Sequence, residues 1–412
     1  MNFMKKNQIK ISKFGGRALS EVRSFSAMAD IIKNQINSKQ LIIISALVDT
    51  TRMLKQAAFI SENSSLEDAK LIINNILEKH IFFATSIIHN QFLLNDLIYI
   101  LNKNIDDINN ILHGICITNE LTSRTLDLVM SYGEKLALQL VYFFLKQEEI
   151  SIAIIDAEDL IVTNNRFNYA SPLYEDTSIN CEEKLFPLFN DYQVVLTQGF
   201  VGKSKSTQQT TTLGLESSNL SAALLASIFN AHEITFWTDV EGFRSCDPKF
   251  ALNTKLIKSI SYQDAKLLAI NGFKLIFPQM IDIAINSKIK LFYKSIFSVD
   301  GDYTEIPTFN SVENVTHIIY KIDHIPVDCI NNDSIILREK KSNMSKNFHN
   351  SYSKICIFNS NIEKLLLLLP DIYKMNSGNP IHFNIKNDFK IQEIILKKSI
   401  SNQILEHIHN NL

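Results

Sequence analysis

Residues 9–16 read IKISKFGG, and residues 41–47 read LIIISAL. The first alternates as far as Phe14 and stops at Gly15-Gly16, the pattern of a short strand over Ile9–Phe14 ended by a glycine turn. The second is a continuous apolar run without polar alternation, as in a strand buried on both faces. Between them Val22, Met28, Ile31 and Ile32 recur at helical spacing behind Ser20, which reads as the N-cap. Strand, helix and strand within about forty residues predict a parallel βαβ unit.

Outward from this unit the alternation continues. Residues from Leu66 to about Glu149 repeat apolar side chains at three and four, most clearly over Ser131–Gln147, and predict helices. Strands are expected at Ile152–Ile155, Gln193–Thr197, Glu233–Trp237 and Lys290–Ser295. Helices are expected from about Ser217 and over Tyr262–Ile270. The fold class is therefore α/β, a mainly parallel sheet sandwiched by helices. Beyond Pro307 the chain is richer in Asn, Lys and Ile, with short strand-like segments and a helix near Asn361. This places a domain at 1–297, a linker at 298–312 and a small α+β module at 313–412.

The chain has 412 residues, 46% hydrophobic and 20% charged, with 41 basic and 43 acidic side chains. That is the composition of a folded globular protein. No basic stripe points to nucleic acid. The cysteines, Cys116, Cys181, Cys246, Cys329 and Cys356, are odd in number and scattered without a CxxC pair, so neither a disulfide framework nor a metal site is expected. The start, MNFMKKNQIKISKF, has no long apolar stretch behind its lysines, and runs such as Leu41–Val48 are too short to span a bilayer. A cytoplasmic protein without nucleic-acid or membrane partners is the expectation.

Four segments carry candidate chemistry. Lys13 lies at the carboxyl end of a buried strand, where open α/β sheets bind ligands, and Gly15 and Gly16 let backbone N–H groups approach a phosphate. A solvated lysine beside an ordinary turn reads the same. Thr210-Thr211-Thr212-Leu213-Gly214 leads into Ser217, Ser218 and Asn219 at a helix start, an anion site or simply a set of caps. Trp237-Thr238-Asp239-Val240-Glu241-Gly242, followed by Asp247-Pro248-Lys249, is a nucleotide-holding turn or a plain loop. Ser131-Tyr132-Gly133-Glu134 reads as a helix opening, with Glu134 either functional or the capping-box partner of Ser131.

In order, KFGG, SALVDTTRML, SYGEKLAL, TQGFVG, TTTLG-x4-N-x-SAALLA, FWTDVEGF-x3-DPK and NGFKLIFP resemble the motifs of the aspartate kinases of the amino-acid kinase family, over about residues 9–297. The resemblance implies phosphoryl transfer from ATP, with Mg2+, to the β-carboxylate of aspartate, the first step toward lysine, threonine and methionine. By motif position it implies that Lys13 stabilises the transferring group and that Gly15 and Gly16 form the phosphate-facing turn. Ser45, Thr51 and Ser218 fall to the substrate side, and Glu134 to the substrate amino group. Thr238, Asp239, Asp247 and Lys274 fall to the nucleotide. It also implies an ACT-like C-terminal module, here short and degenerate, and a homodimer or higher homo-oligomer.

This sequence departs from the family at several of these positions. Leu215 stands where the family has a carboxylate-clamping arginine, and Asn219 where it has an aspartate at the catalytic centre. Arg17-Ala18, Arg52, Leu267 and Phe277 also differ from the family pattern. Three readings follow: an aspartate kinase, a kinase for another acid, or a nucleotide-binding regulatory homologue without catalysis.

Overall fold

The computed structural model describes residues 9–63, 65–308, 317–323, 335–337, 352–377, 381–386 and 390–412. The N-terminal residues 1–8, the 309–312 part of the expected linker, and Cys329 lie outside these. Packing divides the chain into two compact units. One comprises the residues up to Glu241 together with Phe277–Gly301, and the other Gly242–Ile276 together with the residues from Asp302 on. The chain thus passes between them three times, the last time inside the span expected as a linker.

The first unit is built on six parallel strands. From one edge their order is Lys290–Ser295, Glu233–Thr238, Lys10–Phe14, Gln40–Ile44, Val194–Gln198 and Ile152–Ile154. Every residue of Gln40–Ile44 and of Val194–Gln198 is buried, which is why these strands read as unbroken runs rather than alternations. The chain builds outward from Lys10–Phe14 on one side, then crosses back to build on the other. That strand is therefore the topological switch point, and all strand C-termini lie along the same sheet edge. A smaller three-stranded sheet, Val162–Thr163, Val201–Ser204 and Thr210–Thr212, stands beside it.

Helices Val22–Lys33, Thr50–Glu62, Leu66–Ile87, Gln91–Thr118 and Ser123–Gln147 pack into one core, in which Phe25, Leu54, Ile76, Leu101 and Leu140 are fully buried. Ser123–Gln147 has the length and apolarity of a membrane span. Most of it, 78% of the apolar window, is buried within the unit, so its apolarity belongs to the core. Several expected boundaries shift. Ser20 does not cap its helix; its Oγ donates to the carbonyl of Arg17. Ser131 does not open a helix either. It lies in the third turn of one that starts at Ser123, where Thr122 caps the N–H of Thr125, and its Oγ donates to the carbonyl of Leu128.

The second unit holds a five-stranded antiparallel sheet in the order Ile318–Asp323, Tyr352–Phe358, Ile391–Lys397, Ile381–Lys386 and Ile335–Leu337. Helices Ile362–Met375 and Ser401–Asn411 share a core with it through Ile355, Ile357, Leu365, Ile394, Leu396 and Leu405. This is the small α+β, ACT-like module. Its first helix is capped by Asn361, near the expected start; its second was not expected. Helix Tyr262–Ile270 belongs to the same unit, whose Tyr320 hydroxyl donates to the carbonyl of Asn271 at 3.2 Å.

Candidate active site

At the C-terminal edge of the first unit's sheet, the first two strands and two helices bring Lys13, Gly15, Gly16, Ser45, Thr51 and Glu134 together. Lys13 is flanked in register by Ile43 and Phe236. A Cβ placed on Gly15 would lie 3.3 Å from the Lys13 Nζ, so the absent side chain is the space over which the ammonium folds. Gly16 approaches the next strand still more closely, since its Cβ would lie 2.5 Å from the Ala46 carbonyl oxygen. Gly133 does the same for the helix. A Cβ there would come within 3.2 Å of Ala46 Cβ and 3.3 Å of Thr51 Oγ1. Gly16 is needed for close approach of two backbones, and Gly15 and Gly133 leave room for neighbouring side chains; none of the three serves a positive-φ turn.

Glu134 is 4% exposed. Its Oε1 accepts the N–H of Ala46 at 3.3 Å, and its Oε2 is buried without a hydrogen-bond partner. Burial raises its pKa to about 8, against the pull of the Ala46 N–H and of Lys13. Burial lowers Lys13 to about 8, and the nearby carboxylates of Glu134 and Glu216 hold it up. A buried carboxyl with an open oxygen is poised for a cationic donor, and a buried ammonium for an anion. The placement of Glu134 also decides against the capping-box reading, because Ser131 caps nothing.

Across the edge, Gly199 follows the strand Val194–Gln198 and lets the helix Ser218–Ile228 come close. A Cβ on Gly199 would stand 2.7 Å from that of Ser218. Ser218 and Asn219 are therefore the first residues of the helix and not its caps; both are buried, at 5% and 9% exposure. Ser217, at the N-cap position, makes no capping bond, and its Oγ is buried without a partner. Leu215 is 51% exposed. Arg52 is also exposed and pairs with Asp49 at 3.1 Å on the surface.

Thr238 and Asp239 end their strand with a 2.9 Å bond from Thr238 Oγ1 to Asp239 Oδ1. Asp247 and Lys274 are exposed residues of the second unit, and Asp247 Oδ1 accepts the N–H of Lys249 in its own turn.

Two residues at this edge escaped the sequence reading. Lys79 donates to the carbonyl of Val48 at 2.5 Å and so anchors the segment after Ser45 and Ala46. Asp127 lies fully buried on the helix of Glu134. Its Oδ2 accepts the N–H groups of Asn168 at 2.8 Å and Thr212 at 2.9 Å, and its Oδ1 the Thr212 hydroxyl at 2.6 Å. The signal for it was a carboxylate seven residues before Glu134, in phase with the buried face.

The profile of the "Amino acid kinase family" matches residues 8–294. The chain belongs to the amino acid kinase family. Among the family's curated members, it is 29% identical over 294 residues to lysine-sensitive aspartokinase 3 of Escherichia coli, covering 70% of this chain and 62% of that protein. It is 26% identical over 302 residues to the chloroplastic bifunctional aspartokinase/homoserine dehydrogenase 1 of Arabidopsis thaliana, 72% of this chain. The chain spans about a third of the length of that relative, 32%. In fold it is similar to E. coli aspartokinase III crystallised with aspartate and ADP, with a TM-score of 0.73 at 19% identity, over 98% of this chain and 99% of that one. The lysine- and aspartate-bound form of the same enzyme gives 0.67. The aspartokinases are thus the branch of the amino acid kinase family that this chain resembles.

Proposed function

We propose that the protein transfers the γ-phosphoryl group of ATP to the β-carboxylate of L-aspartate, as a step of amino-acid biosynthesis. The observation that supports this most directly is Glu134: a buried carboxyl beside Lys13, with one oxygen fixed by Ala46 and the other open. Such a group recognises the amino group of an amino acid, and leaves the far carboxylate directed toward the lysine.

In this reading a β-carboxylate oxygen attacks the γ-phosphorus, an O–P bond forms, the bond to the bridging oxygen breaks, and ADP leaves. Lys13 faces the developing phosphoryl charge, which positioned cations stabilise. The backbone N–H of Gly16 faces the phosphates, the N–H of Gly15 being taken by the Trp237 carbonyl at 3.2 Å, while Ser45, Thr51 and Ser218 offer hydroxyls to the substrate, and Asn219 stands at the catalytic centre. Thr238 and Asp239 are assigned to the nucleotide. Among the described residues no group of three or more His, Cys, Asp or Glu side chains converges as a metal site, so Mg2+ fits best as a partner of the nucleotide phosphates. Bound there, it would neutralise phosphate charge.

One observation favours a second reading. Leu215 offers an exposed apolar side chain where a carboxylate clamp needs a guanidinium, which suits an acceptor other than aspartate. Assaying ADP release and hydroxamate trapping of the acyl phosphate, with aspartate and a panel of other carboxylic acids, separates the two. ADP release with none of them would leave a nucleotide-binding protein without transferase activity.

A further inference from the structure

We propose that Asp127 is a positioning residue that fixes the Thr210–Gly214 segment relative to Glu134, so that one helix, Ser123–Gln147, sets both sides of the site. The residue has no outlet to solvent, and its three hydrogen bonds all go to two segments far away in sequence. One is the edge of the strand Thr210–Thr212, which leads through Leu213 and Gly214 into the buried helix start at Ser218 and Asn219. The other is Asn168, held at φ +69°, whose neighbour Tyr169 lies against Gly214: a Cβ on that glycine would be 3.3 Å from the ring. Gly214 itself is at φ +98° and is where the chain turns toward the helix.

Seven residues separate Asp127 from Glu134, about two helical turns, so both carboxyl groups emerge on one face roughly 10 Å apart along the axis. The helix thereby acts as a fixed spacer. At one end Glu134 grips Ala46 and the substrate side, and at the other Asp127 grips the segment that delivers Ser218 and Asn219.

The bond pattern makes the role testable atom by atom. An alanine at 127 would leave two N–H groups and a hydroxyl without an acceptor in a dry site. An asparagine would not. With its carbonyl oxygen in the place of Oδ2 it accepts both N–H groups, and its amide nitrogen donates to the Thr212 hydroxyl, which rotates to accept. That rescue needs the hydroxyl.

The kinetic part of the test rests on the proposed transferase activity, and amide exchange does not. Asp127→Ala should speed hydrogen exchange at the Thr212 and Asn168 amides by about tenfold or more beyond any global change, and lower kcat by at least about tenfold with the KM for aspartate within about threefold. Asp127→Asn should keep both near wild type. Combining it with Thr212→Val should cost far more than the product of the two single changes. Wild-type exchange and turnover in Asp127→Ala, or equal damage from alanine and asparagine, would overturn the proposal. If the alanine variant does not fold, additive effects of Asp127→Asn and Thr212→Val overturn it instead. A wild-type protein without transferase activity refutes the proposed function, and the exchange measurements then decide on Asp127 alone.

Discussion

Gly16 and Ala46 touch across the first two strands so closely that a Cβ on the glycine would lie 2.5 Å from the alanine carbonyl oxygen. Ala46 also supplies the N–H that holds Glu134. Gly16→Ala must push the two strand ends apart, and overpacking of this kind typically costs about 1–3 kcal/mol. The variant should melt lower and bind aspartate more weakly. Calorimetric melting together with aspartate titration checks both; an unchanged melting temperature would show that the strand ends yield freely.

Lys13 is the ammonium at the switch point, and Lys13→Ala should lower turnover by about a hundredfold or more, the usual worth of a cation placed at developing charge. Its folding should survive, because removing a buried ammonium also removes a desolvation cost. Single-turnover kinetics on the purified variant is the measurement. A rate near wild type would take Lys13 out of the mechanism.

Glu134 and Lys13 both sit at about 8, raised and lowered by burial respectively. At pH 7 the unliganded Glu134 is mostly protonated, and a substrate ammonium beside it lowers its pKa. Aspartate binding near neutral pH should therefore release a proton, and affinity should rise with pH up to about 8. Above that, loss of the Lys13 proton should lower kcat/KM. Titration calorimetry in buffers of different ionisation enthalpy reads the release directly, and a buffer-independent enthalpy would refute it.

Leu215 and Asn219 flank the buried helix start, four residues apart. For an aspartate kinase, restoring a guanidinium and a carboxylate by Leu215→Arg with Asn219→Asp should raise aspartate phosphorylation far more than either change alone. For a site shaped around another acid, the pair should lower activity on that acid and add little on aspartate. Initial rates of both single variants and the double variant with each acceptor distinguish these outcomes. Wild-type turnover already unaffected by any of the three changes would show that neither position limits the reaction.

The legible parts of the sequence were those where burial imposes a period. Helix Tyr262–Ile270 and strand Lys290–Ser295 fall where their periodicity puts them, and the two buried apolar strands lie side by side in the sheet. Helix Thr50–Glu62 was not anticipated. It starts from Asp49 in the left-handed region, φ 65°, with no side-chain cap, so no local signal announces it among the polar side chains of Asp49-Thr50-Thr51. Ser20 and Ser131 looked like caps because their residue type suits capping, yet each hydroxyl turns back to a carbonyl three residues earlier. Lys13, Glu134 and the glycines could be picked out by type and spacing. Asp127 shows in the sequence only as a carboxylate in phase with the buried face, because its importance comes from Asn168 and Thr212, partners that only the folded chain brings near.

Trp237 is the only tryptophan in the sequence, and it is buried against the strand of Lys13, stacked on Phe14 with ring centres 6.0 Å apart. Its indole N–H reaches Ser12 Oγ at 3.3 Å, and its carbonyl accepts the N–H of Gly15 at 3.2 Å. Excited selectively, the protein therefore emits from one known location, bonded to the glycine turn itself. Any ligand that reorders that turn changes the local field at the indole, so titrations can be followed by intrinsic fluorescence without a label.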